Sequence, residues 1–383
     1  MKTSSKIKEL ISQGENNGVE FKSADVRPES IAKEIVAFAN ASGGSILIGI
    51  EDDGRITGLN STKNYEEWIM NIASQSVNPL IELDYTEHEL DAKKIGLVEV
   101  PKGKDKPYQT SDNKFLIRVG STNRIASVNE LMRLFQQSGV FHYDSTGVEK
   151  SAPSALNFFS LSEYFNNYKI NFENLSESEK VSILQNTDIL TEDKRATVAG
   201  MLLFGINPQK YLPMASVSFA HFQSDDLDSK LFNKKVIEGT LSDQIDKTVG
   251  LIKNSIPEPS DIKGTKRENQ SIGYPEKVFR ELVVNACCHR NYSITGSSIR
   301  VFIFSNRLEV ISPGELPNTV TIEKLKSGVS YAVNPVIVKF MENMNYIDKL
   351  GRGLPMVWQE AQKLGKELIF EETGEEFKVT LEL

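Results

Sequence analysis

The stretch Pro275 to Tyr292, PEKVFRELVVNACCHRNY, constrains the fold of this chain most, because its pattern predicts one helix with two distinct faces. Proline suits the first helical position, since its missing N–H would have no intrahelical partner there. Val278, Leu282 and Ala286 recur every four residues. This spacing predicts a stripe that faces the protein core.

A second face of the same helix carries Glu281, Asn285 and His289, again four residues apart. Their side chains therefore stack one turn above another. The amide oxygen of an asparagine can enter the octahedral shell of a Mg²⁺ carried by phosphates, and a carboxylate can orient or deprotonate a water. The pair suggests a nucleotide site. A solvated polar helix face would have the same pattern, so the motifs further along the chain decide between the two interpretations.

Length and composition limit the class of protein. A chain of 383 residues exceeds what one core usually holds, which predicts two or three domains. The net charge of −8 argues against a histone-like basic protein, although a local basic patch can sit on an acidic chain. No stretch approaches the roughly 18 apolar residues of a membrane span, and the first 17 residues lack a signal-like apolar region. The two cysteines, Cys287 and Cys288, are helix neighbours that point apart, so we expect neither a disulfide nor a zinc site and a cytoplasmic location.

Periodicity along the chain predicts an α+β protein. Helices are expected at residues 3–13, 29–41, 65–77 and 128–137, strands at 19–22, 45–50, 81–88, 94–101 and 114–119, and a loop at 120–124. These elements form one domain over residues 1–143. Residues 144–155 are polar and are predicted to be a linker. Residues 156–383 are expected to hold a middle α/β segment, with a strand or helix start at 199–205, and a C-terminal α/β sandwich built around the focal helix.

Two further motifs follow the focal helix. A strand ends in Ser312-Pro313-Gly314, and Gly351-Arg352-Gly353 precedes a helix. A glycine-rich turn before a helix presents free backbone N–H groups and a positive helix end to phosphates. A simple turn and cap is the alternative interpretation of the glycines. The chain contains no GxxxxGK[ST] sequence, so a P-loop is not expected.

The segments RELVVNACCHRNY, LEVISPGELP and NPVIVKFMENMNYIDKLGRGL, in that order, resemble the C-terminal ATP-binding module of RecG-like regulators, a divergent branch of the GHKL ATPases. The resemblance spans about residues 196–383. It implies that Asn285 binds Mg²⁺ with ATP, that Glu281 activates water, that Gly314 lies in the adenine-side turn, and that Gly351 and Gly353 form a phosphate lid. The aspartate usual at the adenine turn is absent, and Ser312 or Glu315 is its nearest polar substitute. His289 would touch a phosphate or cap a polar face. No helicase motor is implied.

The first domain carries a second resemblance. GENNGVEFKS, IAKEIVAFANASGGSILIGIEDDGRITG and PYQTSDNKFLIRVGSTNRIAS resemble the Schlafen/AlbA-like domain over about residues 10–135. The resemblance implies nucleic-acid binding, and in the nucleases of this group it implies metal-dependent cleavage by three acidic residues. Glu15 and Glu20 match the first two, and Asp52 or Asp53 is a candidate for the third, with a second divalent ion expected at Glu15 and Glu20.

Three cations of this domain, Lys22, Arg118 and Arg124, are candidates for contact with backbone phosphates. Ordinary structural roles are the alternative for the same residues. Glu20 could pair with Lys22 at a strand edge, and Asp52-Asp53-Gly54 is common hairpin chemistry.

These patterns lead to one interpretation and two alternatives. The chain is expected to be a nucleic-acid-binding regulator, of transcription in the first instance, in which Mg²⁺ and ATP in the C-terminal module modulate the N-terminal domain. DNA is a more natural partner than RNA, weak ATP hydrolysis is compatible with the motifs, and a homodimer or higher homo-oligomer is expected by analogy. The first alternative is a nucleotide-gated, metal-dependent nuclease. The second is a protein-binding module in which both sites are vestigial.

Overall fold

A computed structural model describes residues 2–256, 260–263, 266–269, 273–317, 320–329, 331–348 and 351–383. The chain divides into two compact units, Met1–Phe141 and His142–Leu383. Both mix helices and strands, as the α+β pattern predicted. Residues 144–155, predicted to be a linker, are instead part of the second unit, because Asp144 is fully buried there and Val148 joins its core.

The first unit has four helices and a mixed central sheet. The helices are α1 (Lys2–Gln13), α2 (Pro28–Asn40), α3 (Tyr65–Ser76) and α4 (Val128–Gln137). The strands are β1 (Val19–Lys22), β2 (Gly44–Ile48), β3 (Val77–Asn78), β4 (Asp84–Leu90), β5 (Lys93–Val100), β6 (Gln109–Thr110), β7 (Leu116–Val119) and β8 (Thr122–Ile125). The central sheet has the order β1-β2-β5-β4, with β1 and β2 parallel. Residues 120–124, predicted to be a loop, hold the turn and most of β8, which pairs with β7.

Helix α2 joins the two parallel strands and fills the core of this unit. It begins at Pro28, where the fixed φ of proline favours a helix start, and its residues Ile31, Ile35 and Phe38 are fully buried. Gly43 follows the helix with φ of 86°, and a Cβ there would lie 2.6 Å from the carbonyl oxygen of Val100. Glycine is therefore needed at this turn.

The second unit is a sheet with helices on one face. Its helices are α5 (Phe158–Asn167), α6 (Glu177–Asn186), α7 (Val198–Phe204), α8 (Leu241–Ser255), α9 (Glu276–His289), α10 (Ile322–Lys326), α11 (Pro335–Asn343) and α12 (Gly353–Lys363). Its strands are β9 (Val217–Phe222), β10 (Leu231–Ile237), β11 (Ser260–Lys263), β12 (Lys266–Asn269), β13 (Ile299–Ile303), β14 (Arg307–Pro313), β15 (Leu368–Glu372) and β16 (Glu376–Glu382). The main sheet has six strands in the order β10-β9-β13-β14-β16-β15.

Alternation along the strands decides which sheet face the helices cover. Val217 and Phe219 of β9 share one core cluster with residues of α8, α9 and α12, whereas the intervening Ser218 points to the other face. The stripe predicted on α9 is confirmed, since Val278, Leu282 and Ala286 are all buried. The helix itself begins at Glu276, one residue later than expected, because Pro275 has an extended ψ of 147°.

Candidate functional site

A cleft opens beside α9 in the second unit. Its walls come from α9, from the end of β14 with the segment that follows, and from the described residues between α10 and α12. Its lining contains every residue that the sequence assigned to a nucleotide site: Glu281, Asn285, His289, Ser312, Gly314, Gly351 and Gly353. Helix periodicity brings the first three together. The end of β14 brings Ser312 and Gly314 to the same helix, and the start of α12 brings Gly351 and Gly353.

Glu281 and Asn285 form a fixed pair on the wall made by α9. The Asn285 amide donates to the Glu281 backbone carbonyl at 2.8 Å and to its carboxylate Oε1 at 2.5 Å. Burial raises the pKa of Glu281, because a charged carboxylate loses hydration in the cleft, and the hydrogen bond from Asn285 opposes that shift in part. A carboxylate of raised pKa is a better proton acceptor than an exposed one.

His289 lies one turn further along α9 and is half-buried. Desolvation lowers the pKa of this imidazole to about 4, although a hydrogen bond to the Tyr331 backbone favours the charged form. The ring is therefore neutral near pH 7. It can offer a hydrogen bond in the cleft but no positive charge to a phosphate.

The end of β14 approaches α9 closely. Gly314 has φ of 123°, and a Cβ on it would lie 2.8 Å from Cβ of Asn291, so only glycine fits without displacement. Ser312 is buried, and its hydroxyl donates to the Ala286 carbonyl at 3.0 Å. That hydroxyl thus fixes the strand to the helix, and the half-buried Glu315 is the polar side chain that lines this part of the cleft.

The two glycines predicted to form a phosphate lid, Gly351 and Gly353, are close to other parts of the cleft wall. A Cβ on Gly353, the first residue of α12, would overlap the Glu281 carboxylate. Gly351 has φ of 65°, and a Cβ there would overlap the carbonyl oxygen of Gly328. Both positions require glycine, because neighbouring atoms of the cleft wall lie too close for a Cβ. A simple turn would not impose this requirement. Between them Arg352 forms an ion pair with Asp348, four residues earlier.

Asp348 and the apolar part of the lining were missed at the level of sequence. Asp348 lines the cleft and raises the pKa of Glu281 by charge repulsion, after the larger effect of burial. Its position just before the glycine pair was the only sequence signal for it. Several of the apolar residues come from β14, β16, α10 and the segments beside α10: Val310, Leu316, Val320, Leu325, Phe377 and Val379. Their pattern is that of ordinary core residues, so the sequence could not separate them from the core.

A metal ion carried by a nucleotide would find a suitable donor in Asn285. Its Nδ2 is held by Glu281, and no protein group among the described residues donates to its Oδ1. An amide oxygen is a ligand that Mg²⁺ accepts. The donor set at this wall therefore fits the ion that the motif implied.

The cations and carboxylates of the first unit form a buried network rather than an open site. Arg118 is almost fully enclosed, contacting Glu20 at 2.6 Å and Glu34 at 3.2 Å, and it donates to two backbone carbonyls near β1. Lys22 forms ion pairs with the same two carboxylates. Arg118 and Lys22, predicted to contact phosphates, instead form ion pairs within the unit. They do so because the two buried glutamates require counter-charges.

The acidic residues predicted for a nuclease do not converge on one metal-binding site. The Glu15 carboxylate accepts from the Phe21 backbone N–H at 3.0 Å, and Asp52 and Asp53 are exposed in the turn after β2. The carboxylate that lies beside Glu20 is Glu34, which shares Arg118 with it. Burial has the largest effect and raises the pKa of Glu34, and the negative charge of Glu20 raises this pKa further. Within the described ranges, no group of three or more acidic, histidine or cysteine side chains could hold a metal ion. The expected divalent ion at Glu15 and Glu20 is therefore not supported.

Arg124 is the one predicted phosphate contact that is exposed. It lies on β8 and forms an ion pair with Glu130, the residue that closes a capping box with Ser127 at the start of α4. An exposed pair of this kind exchanges readily with solvent and ions. None of the described helices is long and apolar enough to cross a membrane.

Two segments of the chain, one in each unit, match models of known protein families. Residues 15–127 match the family model described as Schlafen, AlbA_2, and residues 296–381 match the one described as "Putative ATP-dependent DNA helicase recG C-terminal". The second match contains Ser312, Gly314, Gly351 and Gly353 and begins after α9. The resemblances to the Schlafen/AlbA-like domain and to the RecG C-terminal module are thereby confirmed. Nothing among the curated proteins matches the chain.

Two solved structures are similar to the chain. One is the DIP2311 protein from Corynebacterium diphtheriae, with 20% identity and a TM-score of 0.49, covering 99% of this chain and 79% of that one. The other is the N-terminal domain of a RecG-related protein from Nitrosomonas europaea, with 24% identity and a TM-score of 0.24. That match covers 31% of this chain and 88% of the other.

Proposed function

We propose that the cleft of the second unit binds ATP with Mg²⁺, and that the first unit binds nucleic acid, DNA in preference to RNA, under the control of that nucleotide. The observation that carries the nucleotide site is the convergence on one cleft of seven residues that lie between positions 281 and 353. The description of the recG C-terminal family supports the nucleotide, and the Schlafen, AlbA_2 match supports the nucleic acid. A regulator of transcription is the role that best combines the two.

The two parts of the cleft suit the two parts of a nucleotide. The apolar residues from β14 and β16 provide a surface for a flat base, as apolar linings do in most small-molecule sites. The carboxylate and imidazole side chains of the lining that the structure describes are Glu281, His289, Glu315 and Asp348, and no lysine or arginine lines it. A triphosphate beside three carboxylates needs positive charge, which a bound divalent ion would supply. Binding is therefore expected to depend on Mg²⁺.

We infer that Glu281 is the residue that accepts a proton from water. Its orientation is fixed by the Asn285 amide on one side and by the backbone of Gly353 on the other. The raised pKa makes proton acceptance more favourable than at a fully hydrated carboxylate. Weak ATP hydrolysis would follow from this arrangement.

Titration calorimetry of the pure protein with Mg²⁺ and ATP tests the site. Asn285→Ala removes the amide that holds Glu281 and offers an oxygen to the metal, so we expect at least about tenfold weaker binding, which is roughly 1.4 kcal/mol. Asn186→Ala, at the exposed end of α6, is the matched control and should bind as the wild type does. Equal affinity of all three proteins would remove the nucleotide assignment. Glu281→Gln should retain binding and lose any ATP turnover.

Incubation with end-labelled DNA and RNA tests the first unit. With Mg²⁺ present, we expect retention of nucleic acid without cleavage and a change of affinity when ATP is added. Cleavage that disappears in both Glu15→Gln and Glu20→Gln would favour the nuclease alternative. Because Glu20 also pairs with buried Arg118, the folded state of that variant must be checked by circular dichroism. No retention of any nucleic acid would favour a protein partner.

A further inference from the structure

Arg352 is exposed at the edge of the cleft and is held there by a residue that lines the cleft. Its Nε donates to Oδ2 of Asp348 at 3.2 Å, and its Nη2 donates to the same oxygen. The side chains of Arg352 and Asp348 are 70% and 51% exposed. Because an exposed ion pair contributes little to stability, the guanidinium can exchange this partner for another anion with little loss of free energy.

The backbone beside Arg352 brings this residue to the end of the cleft where Glu281 lies. A Cβ on Gly353 would overlap the Glu281 carboxylate, and the Cα atoms of consecutive residues are about 3.8 Å apart. Gly351, on the other side, has no side chain that could separate the guanidinium from the cleft. A phosphate beside Glu281 therefore lies within reach of the Arg352 side chain.

The other arginine near Glu281 has partners of its own. Arg280 donates to the Asn345 carbonyl at 3.0 Å, and its Cζ lies 5.0 Å from the centroid of the Tyr346 ring. Successive residues of a helix are about 100° apart, so Arg280 and Glu281 face different directions from α9. Arg352 is therefore the better candidate for contact with a phosphate.

A phosphate group is a better partner for Arg352 than its present one. A guanidinium presents two parallel N–H groups that match two phosphate oxygens, and charge-assisted hydrogen bonds of this geometry are among the strongest in proteins. Both hydrogen bonds from Arg352 to Asp348 go to the single oxygen Oδ2, so this pair is not of the two-oxygen type. A nucleoside diphosphate lacks the terminal phosphate of a triphosphate and cannot offer the same contact beside Glu281.

We propose that Arg352 leaves Asp348 when a nucleoside triphosphate binds and forms a bidentate contact with the terminal phosphate. The cleft thereby distinguishes a triphosphate from a diphosphate. This inference rests on the proposed binding of nucleotide in the cleft, and it assigns to Arg352 a positive charge that the described lining lacks. Without a third phosphate, Asp348 keeps the guanidinium at the edge of the cleft.

Titration calorimetry with two nucleotides tests this role. ADP and the β,γ-imido analogue of ATP, which resists turnover, are each titrated in the presence of Mg²⁺. Arg352→Ala should bind the triphosphate analogue at least about tenfold more weakly, because a hydrogen bond between charged groups is lost, and should bind ADP within about twofold of the wild type. Arg352→Lys should retain part of the triphosphate affinity, since an ammonium keeps the charge but not the paired N–H groups.

Arg195→Ala is the matched control. Arg195 also forms an ion pair with an exposed aspartate of the second unit, Asp193, and it is not part of the lining that the structure describes. This variant should bind both nucleotides as the wild type does. If it loses as much triphosphate affinity as Arg352→Ala, then surface charge alone accounts for the effect and the proposal is wrong.

Asp348→Asn tests whether the ion pair opens. This variant frees Arg352 and removes a negative charge beside the phosphates, so it should strengthen binding of the triphosphate analogue more than that of ADP. Unchanged or weaker binding of the analogue would show that the pair stays closed, and would overturn the proposal.

The two nucleotides also separate failure of this inference from failure of the nucleotide site. Equal losses of ADP and analogue affinity in Arg352→Ala, or no loss of either, would overturn the role of Arg352 and leave the site itself in place. A wild type that binds neither nucleotide would remove the site, and the role of Arg352 with it.

Discussion

At the start of α12, Gly353 is in contact with the Glu281 carboxylate. There is no room at this position for a side chain larger than the glycine hydrogen. Gly353→Ala would force either the carboxylate or the helix start to move. We expect at least about tenfold weaker binding of Mg²⁺ and ATP, roughly 1.4 kcal/mol, measured by calorimetry. Gly250→Ala in α8 is the control, because a Cβ there meets nothing within 4 Å. It should leave binding unchanged and stabilise the helix by about 0.5–1 kcal/mol.

Arg118 and Arg124 look alike in the sequence and differ in the folded unit. Arg118→Met leaves Glu20 and Glu34 buried with one counter-charge fewer, which should lower the free energy of unfolding by about 3–5 kcal/mol. Arg124→Met removes a solvent-exposed pair with Glu130 and should change stability little. Urea denaturation of the two variants measures this contrast. Equal losses would show that Arg118 is not the centre of a buried network.

The two arginines also show which site residues a sequence can predict. Glu281 and Asn285 were predictable, because a four-residue spacing on a helix is local and fixes the relation of the two side chains. The burial of Arg118 was not, because its partner Glu34 is 84 positions away and the two meet only through packing of β7 against α2. Lys22 differs from Arg118, because its partner Glu20 is only two residues away. The alternative pairing with Glu20 was the correct one.

At the scale of elements, Asp144 fixes the start of α11 from a segment almost two hundred residues earlier. Its Oδ2 accepts from the backbone N–H groups of Val336 and Ile337, at 2.8 and 3.1 Å. Asn334, just before α11, donates to the carbonyls of Cys288 and Arg290 at the end of α9. The residues that follow the first unit are thereby connected to the helix that carries the cleft. A polar segment with a proline suggested a linker, since the sequence could not show that Asp144 caps so distant a helix.

Burial of Asp144 predicts a specific dependence of stability on pH. Burial raises the pKa of this carboxyl to about 6 from the usual 3.8, against the two backbone hydrogen bonds that favour the charged form. Between about pH 4 and pH 6 the native state holds a proton that the unfolded state has lost. The free energy of unfolding therefore falls as pH rises through this window.

Asp144→Asn remains neutral and keeps an oxygen that can accept from the helix. Its stability relative to the wild type should increase from pH 4 to pH 7, by about 3 kcal/mol at most for a shift of this size. Urea denaturation at several pH values measures the difference. Asp193→Asn is the control of opposite sign, because hydrogen bonds from Thr191 and Arg195 lower the pKa of exposed Asp193. A constant difference between Asp144→Asn and the wild type would contradict the raised pKa.

At the scale of the whole molecule, the chain consists of two compact units, with a boundary between Phe141 and His142. The capping of α11 by Asp144 places that boundary before residue 144, so a cut at the predicted linker would remove part of the second unit. Periodicity located most elements correctly, because amphipathic patterns are local. The boundary between the units could not be predicted in the same way, because the hydrophobic pattern does not show that the Asp144 carboxyl is buried.

This boundary predicts how the proposed functions divide between fragments. A fragment of residues 142–383 retains the whole cleft and should bind Mg²⁺ and ATP with the affinity of the full chain. A fragment that begins at residue 156 lacks Asp144 and Val148 and should be less stable, with weaker nucleotide binding, because α11 loses its cap. A fragment of residues 1–141 should bind nucleic acid with no response to ATP, whereas the full chain should respond. If the isolated first unit responds to ATP, or the fragment from residue 142 fails to bind it when folded, then the nucleotide site is not confined to the second unit.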